Sequence, residues 1–185
     1  MNVEATDIPG VLIVRPNVFT DERGLFYETW SKARYGHAGM PETFVQDNVS
    51  RSSRGVLRGL HYQLPNAQGK LLSVLHGEIF DVAVDIRRDS PSYGKWVGVT
   101  LSAANQVQLY VPAGCAHGFQ ALSAEAVVLY KCTEYYDHGS ERSVFWSDED
   151  VAIPWVLPPI LSGKDQAAPR LRDIPPDKLP VYAAP

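Results

Sequence analysis

The 185-residue sequence lacks the features that mark secreted, membrane or disulfide-rich proteins. Its two cysteines, Cys115 and Cys132, cannot form a disulfide framework, and their apolar neighbours indicate small buried thiols. No apolar run approaches the roughly 18 residues that a membrane span needs. Residues Met1–Glu4 lack the basic-then-apolar pattern of a signal peptide. The sequence therefore predicts a cytoplasmic protein without a membrane partner.

An excess of positive charge is also absent. The formal net charge is −4 at pH 7, and the calculated pI is about 5.7. A protein with this balance is not built to attract nucleic acid, so we expect no nucleic-acid partner. An anionic ligand would have to be held by a local cluster of basic side chains.

What the chain does contain is a series of short β-rich segments separated by turn residues. A chain of 185 residues suits one domain, predicted here to span residues 1–185, and 14 glycines and 14 prolines provide the turns. Strands at this spacing predict the all-β class, as a sandwich or barrel. The predicted strands are residues 11–15, 25–29, 44–49, 56–63, 70–75, 79–86, 96–101, 107–111, 118–122 and 126–133.

A few other local features complete the prediction. Short helices are expected at residues 31–36 and 161–166, and His76-Gly77 predicts a tight turn. The Pro-rich part from residue 153 onward is expected to wrap the surface. In the strand 79–86, alternation puts Phe80, Val82, Val84 and Ile86 on one face.

Two segments resemble the paired motifs of the cupin superfamily, whose fold is a double-stranded jelly roll with a few short helices at its periphery. The first motif places a glycine, a His-x-His pair, a glutamate and a glycine, and the second corresponds to residues 112–117, ending at His117. The first motif's positions hold Gly55, His61, Gln63, Lys70 and Gly77.

These substitutions argue against a metal site. Metal-binding cupins use three histidines and one glutamate, donors that suit first-row divalent ions. Here Gln63 replaces a histidine, and Lys70 brings a positive charge to the position of the glutamate. We therefore expect no metal, and a cavity in which His61, His117, Lys70 and nearby Arg58 suit an anionic or keto substrate.

Eight segments, in order along the chain, match one known family. They are Phe19–Glu28, Gln46–Asn48, Gly55–Gln63, Gln68–Lys70, Phe80–Arg88, Pro112–Phe119, Tyr130–Tyr136 and Leu161–Asp165. Together they resemble the dTDP-4-dehydrorhamnose 3,5-epimerase family, from about residue 8 to residue 171, nearly the whole chain. The resemblance implies a homodimeric, cofactor-free enzyme of dTDP-L-rhamnose biosynthesis that inverts carbons 3 and 5 of a dTDP-linked 4-keto-6-deoxyhexose.

The resemblance also implies roles for individual residues. The family's base matches His61, its acid matches Tyr130, and the carboxylate that orients the base matches Asp165. Tyr136 matches the tyrosine that stacks on the thymine ring, and Phe26 is a second aromatic candidate for that contact. The matched substrate-binding positions are Arg23, Glu28, Gln46, Asp47, Asn48, Arg58, Lys70, His117, Glu141 and Lys164.

The chemistry explains why these residue types are needed. A proton beside a ketone is weakly acidic, so the base must be held in one tautomer and the developing enolate needs a fixed donor or positive charge. Lys70 is the candidate for the enolate, with His117 or Arg58 assisting. Inversion requires a proton from the opposite face, and the Tyr130 phenol can supply it. Alternation puts Tyr130 in an inward row with Ala126, Val128 and Cys132.

Basic side chains are also available for a diphosphate, since Arg23, Arg58 and Lys164 can provide local charge in an acidic protein. Arg58 and His61 are three residues apart, however, and would face opposite ways on a regular strand. We therefore predict a break in alternation near Gly59.

Several other functions are compatible with parts of this pattern. The nearest is a mono-epimerase acting on carbon 3 or 5 only, or a 3,4-ketoisomerase, serving an antibiotic sugar. The presence of both His61 and Tyr130 favours an epimerase over an isomerase but leaves the number of inverted centres open. A metal-dependent cupin oxygenase and a non-catalytic sugar-binding cupin are the remaining alternatives.

Overall fold

A computed structural model describes residues 1–41 and 43–183. Most of its regular structure is β-strand. The strands are β1 Asn2–Ala5, β2 Leu12–Arg15, β3 Val18–Asp21, β4 Gly24–Tyr27, β5 Gln46–Ser53, β6 Leu57–Gln63, β7 Lys70–His76, β8 Glu78–Asp85, β9 Trp96–Ser102, β10 Gln108–Val111, β11 Cys115–Ala121, β12 Glu125–Cys132 and β13 Glu141–Ser143. The helices are α1 Lys32–His37 and α2 Gly163–Gln166, with 3-10 turns at Leu171–Asp173 and Pro176–Lys178.

Two antiparallel sheets form the body of the molecule. The 6-stranded sheet has the order β1-β2-β10-β7-β12-β5, and the 5-stranded sheet has the order β13-β6-β11-β8-β9. Buried residues of both sheets, such as Leu72 and Val128 of the first and Ile79 and Phe119 of the second, belong to one apolar cluster. The sheets therefore pack face to face, and the predicted cupin-type jelly roll is confirmed.

The outer face of the 5-stranded sheet is covered by the C-terminal part of the chain. Val82, Val84 and Ile86 are fully buried and share a second apolar cluster with Leu171 and Leu179. Phe80 packs against the same cluster. The predicted shared face of this strand and the predicted wrapping by the Pro-rich end are thus both confirmed. Because the cover exists, both faces of β8 are buried.

The predicted strands and both predicted short helices are present, with ends shifted by a few residues. The predicted turn is present too, since β7 ends at His76 and Gly77 has a positive φ of 74°. The sequence reading missed β1, β3 and β13. These are strands of three or four residues that contain few buried side chains, so the alternation of apolar and polar residues is weak there.

Strands β3 and β4 form a separate 2-stranded hairpin. Its aromatic residues Phe19 and Phe26 are 64% and 71% exposed. Among the residues the structure describes, no helix is long and apolar enough to cross a bilayer.

The predicted break in alternation lies where it was expected. His117 of β11 pairs with His61 of β6, but Phe119 pairs with Arg58, so the register shifts at Gly59. Gly59 has a φ of 135°, and a Cβ there would lie 2.5 Å from the Cα of Gly118. Only glycine fits this close approach of two backbones. The shift lets Arg58 and His61 line the same cavity.

Candidate active site

A cavity of about 690 Å³ opens between the two sheets. A smaller cavity of about 230 Å³ adjoins it and shares His61, Lys70, Tyr130 and Glu141 with it. Together the two cavities bring most of the predicted site residues into one place. The predicted residues that line them are Gln46, Asn48, Arg58, His61, Lys70, His117, Tyr130, Tyr136, Glu141, Lys164 and Asp165.

His61 and Asp165 form a close pair. The Nε2 atom of His61 lies 2.7 Å from Oδ1 of Asp165, whose side chain is almost completely buried. Ser162, the N-cap residue of α2, donates its hydroxyl to Oδ2 of Asp165 at 2.8 Å. Burial would raise the pKa of Asp165, but the hydrogen bonds from His61 and Ser162 outweigh it and hold the pKa below its usual value. Since Nε2–H donates to the carboxylate, the neutral ring carries its lone pair on Nδ1.

Tyr130 belongs to the opposite wall of the cavity. It lies on β12 of the 6-stranded sheet, whereas His61 lies on β6 of the 5-stranded sheet. Its row neighbours Ala126, Val128 and Cys132 are buried, so the predicted inward row is confirmed. Burial raises the pKa of the Tyr130 phenol, so the hydroxyl keeps its proton throughout the neutral range. An imidazole and a protonated phenol thus line one cavity from opposite sheets.

Lys70 lies at the start of β7, in the same sheet as Tyr130, and is paired in register with Cys132. Burial lowers the pKa of its ammonium group, although Cys132, Asp81 and Glu141 act in the opposite direction. A cation in this partly desolvated position interacts strongly with any negative charge that develops in the cavity.

His117 forms a second histidine–carboxylate pair. Its Nε2 atom lies 2.7 Å from Oδ1 of Asp81, a residue with no exposed surface. Sequence reasoning missed Asp81. The signal was available, because alternation in β8 places Asp81 on the face opposite Phe80 and Val82, and a buried carboxylate inside an apolar strand requires a partner.

The rim of the cavity carries an ion pair and a tyrosine. Lys164 donates to Glu141 at 2.5 Å, and the hydroxyl of Tyr136 donates to the same carboxylate at 3.2 Å. Burial would raise the pKa of Glu141, but the Lys164 hydrogen bond and charge lower it overall. Arg58 is at the rim as well, where it donates to Ser52 Oγ at 3.0 Å.

The three consecutive residues Gln46, Asp47 and Asn48 divide between two faces of β5. Gln46 and Asn48 line the smaller cavity, and Gln46 Nε2 donates to Asn48 Oδ1 at 2.9 Å. Asp47 pairs with Lys131 at 2.9 Å, and its carboxylate does not line either cavity. The period of two along a strand accounts for this separation.

Three predicted substrate-binding residues lie elsewhere in the chain. Arg23 and Phe26 belong to the β3–β4 hairpin, and Glu28 follows it. Arg23 pairs with Asp21, Glu28 pairs with Arg34, and Phe26 is largely exposed. None of the three lines the cavity that holds His61. Within one chain, these three residues therefore do not contribute to the lining of this cavity.

The positions that carry metal ligands in the cupin pattern have other partners. The amide of Gln63 donates to the carbonyls of Asn66 and Tyr135 and accepts from the backbone N–H of Asp137. Over residues 1–41 and 43–183, no group of three or more His, Cys, Asp or Glu side chains is arranged to hold a metal ion.

Comparison with known proteins identifies the family. Residues 5–173 match the family model for dTDP-4-dehydrorhamnose 3,5-epimerase. The enzyme of that name from Shigella flexneri is 55% identical over 168 residues, which cover 89% of this chain and 93% of the relative. The one from Salmonella typhimurium is 54% identical over 175 residues, covering 92% and 96%.

A solved structure agrees with these sequence relatives. The dTDP-6-deoxy-D-glucose-3,5-epimerase of Legionella pneumophila, crystallised with dTDP-4-keto-L-rhamnose, superposes with a TM-score of 0.96 at 52% identity and covers 99% of each chain. The predicted resemblance is confirmed over nearly the whole length. This chain belongs to the dTDP-4-dehydrorhamnose 3,5-epimerase family and is a carbohydrate epimerase of the isomerase class.

Proposed function

We propose that this protein inverts carbons 3 and 5 of dTDP-4-dehydro-6-deoxyglucose in dTDP-L-rhamnose biosynthesis. One observation carries the proposal: His61 and Tyr130 project from opposite sheets into one cavity. A sugar ring held between them would have a base on one side and an acid on the other. Family membership supports the identity of the nucleotide and of the sugar.

His61 is the proposed base. Its lone pair on Nδ1 takes the proton from the carbon next to the ketone, and the C–H electron pair moves to form the enolate with its charge on the ketone oxygen. Asp165 holds the ring in this tautomer through Nε2–H. Lys70 provides positive charge for the enolate oxygen, and His117 contacts the sugar from the wall that carries His61.

Tyr130 is the proposed acid. The enolate electron pair takes the phenolic proton at carbon, on the face opposite to His61, and the configuration inverts. The phenolate then recovers a proton from water, and His61 releases its proton to water, which readies both groups for the second carbon. Because the substrate is neither oxidised nor reduced overall, the proposed reaction needs no redox cofactor.

The rim residues are suited to the nucleotide part of the substrate. Arg58 and Lys164 offer positive charge for the diphosphate within a protein of net charge −4. Tyr136 offers an aromatic face to the thymine ring. The two cysteines are free thiols, which is typical of the cytoplasm, the compartment we propose for the enzyme.

A homodimer would complete the site. The β3–β4 hairpin exposes Phe19 and Phe26, and among the described residues it pairs with no other strand. Such exposed apolar side chains suit contact with another surface. We propose that a second copy of this chain brings its Arg23, Phe26 and Glu28 to the cavity. Sedimentation and activity assays of wild type and of Phe26→Asp test this. A wild-type dimer that dissociates and loses activity in Phe26→Asp supports the proposal. A wild-type protein that is an active monomer contradicts it.

The decisive experiment follows substrate protons in heavy water. The enzyme is incubated with dTDP-4-keto-6-deoxyglucose in D₂O, and the recovered sugar is analysed by NMR, with His61→Ala as the control. Deuterium at carbons 3 and 5, absent with the control, supports the double epimerase. Deuterium at one carbon would make the enzyme a mono-epimerase, and no incorporation would overturn the proposed base chemistry.

A further inference from the structure

The segment Glu134–Asp137 presents Tyr136 to the smaller cavity without belonging to a sheet. It follows β12, and within the described part of the chain it belongs to none of the strands, so its backbone groups lack the partners that a sheet provides. Unpaired backbone groups beside a buried region require other hydrogen-bond partners. The segment finds these partners in side chains: the N–H of Tyr135 donates to the Glu134 carboxylate at 2.8 Å, and the other side-chain partners are glutamines.

Three glutamines from separate parts of the chain bond to this backbone. Gln68 donates to the carbonyl of Glu134 at 2.8 Å. Gln46 accepts from the N–H of Tyr136 at 2.9 Å. Gln63 donates to the carbonyl of Tyr135 at 3.1 Å and accepts from the N–H of Asp137 at 2.9 Å. The backbone is therefore fixed on both sides of the Tyr136 Cα.

Gln63 is the central member of this set. It is only 4% exposed, and its second N–H donates to the carbonyl of Asn66 at 2.7 Å. Both of its amide protons and its oxygen are thus used inside the protein. Gln46 is bonded in part, because its oxygen accepts from Tyr136 and one of its two amide protons is donated to Asn48 at 2.9 Å. Both amides bond to protein groups although they lie beside the cavity.

We propose that Gln46, Gln63 and Gln68 form a glutamine clamp that positions Tyr136 for stacking on the nucleotide base. The inference rests on the proposed function, since it assigns the clamp to the binding of the dTDP moiety. It also gives Gln46 a positioning role in addition to the substrate contact expected from the sequence. Tyr136 is 51% exposed and its ring is held by the hydroxyl bond to Glu141, and fixing its backbone as well lowers the entropy lost on binding.

The test is a double-mutant cycle between Gln63 and Tyr136, measured as the Kd of dTDP by calorimetry and as kcat and KM. Tyr136→Ala should weaken dTDP binding roughly 10- to 100-fold, the range of one base–aromatic stack. Gln63→Met replaces the amide by a side chain of similar size without hydrogen bonds. It should weaken dTDP binding about tenfold, because Tyr136 is no longer held in position, and should leave kcat nearly unchanged. In the double variant, dTDP affinity should be almost the same as in Tyr136→Ala alone, because the clamp has no ring left to position.

Two further variants show whether the loss of dTDP affinity comes from the position of the Tyr136 ring. Tyr136→Phe, which keeps the ring and loses only the bond to Glu141, should bind dTDP within about twofold of wild type. If Gln63→Met does not fold, Gln68→Ala removes one clamp bond and should show the same non-additivity with a smaller loss.

Additive effects, or a fall in kcat with unchanged Kd, would overturn the clamp while leaving Tyr136 as the stacking residue. Unchanged dTDP affinity in Tyr136→Ala would instead overturn the stacking assignment itself.

Discussion

Two histidine–aspartate pairs lie side by side in this cavity with nearly identical local geometry. In each pair Nε2 lies 2.7 Å from a carboxylate oxygen, and the two histidines face each other directly in the β6–β11 ladder. Their surroundings differ. The side chains of His61 and Asp165 are 25% and 4% exposed, whereas those of His117 and Asp81 are 9% and 0% exposed.

The carboxylates also differ in their partners. Asp165 is held by a surface helix and has Ser162 as a second partner, so both of its oxygens are bonded. Asp81 is held by the neighbouring strand β8, and its Oδ2 atom has no partner within the described residues. The more open pair can exchange a proton with water, as the proposed base must after each turnover. The proposed role of the enclosed pair is to fix a ring that contacts the sugar. Position in the fold, and not pair geometry, separates the two proposed roles.

The largest expected effect comes from deleting each imidazole in turn. His61→Ala should lower kcat by about 10³-fold, within the range for loss of a general base, and should abolish deuterium exchange into the substrate. His117→Ala should mainly raise KM and keep measurable exchange, because the base remains. NMR in D₂O and steady-state kinetics measure both.

Affinity for dTDP is the control for these two variants, since it should be nearly unchanged in His61→Ala. The comparison would be reversed if His117→Ala lost exchange while His61→Ala retained it.

The next effect separates the two carboxylates. Asp165→Asn should lower kcat by about 10²-fold because the amide no longer fixes the His61 tautomer through a charged acceptor. KM should change little. Steady-state kinetics together with a thermal melt at pH 7 measure this variant, and a kcat within about threefold of wild type would remove Asp165 from the mechanism.

Asp81→Asn is the matched change at the enclosed pair and should have a smaller effect on turnover. We expect kcat to fall by about tenfold or less, with a rise in KM, because a fixed contact to the sugar is disturbed while the base is intact. Kinetics measured beside Asp165→Asn make the comparison direct. An equal or greater fall in kcat for Asp81→Asn would mean that the buried pair takes part in proton transfer.

Much of this architecture follows from the sequence because it depends on local periodicity. Alternation identified the strands of the two sheets except β1 and β13, and the inward row of Tyr130 followed from the same rule. The glycine-based register shift at Gly59 was predictable because two site residues three apart must share one cavity. These features depend on a strand and its immediate neighbours.

Apart from the three short strands with weak alternation, most features that were not predicted depend on contacts between distant segments. Nothing local shows that the hairpin carrying Arg23 and Phe26 forms a sheet apart from the body. The pairing of Asp81 with His117 joins residues 36 apart in sequence. The position of Asp47 on the outer face could have been inferred, since alternation alone separates it from Gln46 and Asn48.

The smallest expected effect is on stability at low pH, and it tests the electrostatics of the open pair. Because the pKa of folded Asp165 is below its unfolded value of about 3.9, its carboxylate stabilises the protein above that pH, and the contribution is lost as pH falls through the folded pKa. The melting temperature of wild type should therefore exceed that of Asp165→Asn by about 2–4 °C near neutral pH, and the gap should narrow below about pH 4. In Ser162→Ala, which removes one hydrogen bond that lowers this pKa, the loss of stability should begin near the same pH but should be smaller and complete at a higher pH. A difference in melting temperature that stays constant from pH 7 to pH 3 would show that the partners of Asp165 do not lower its pKa in the folded protein.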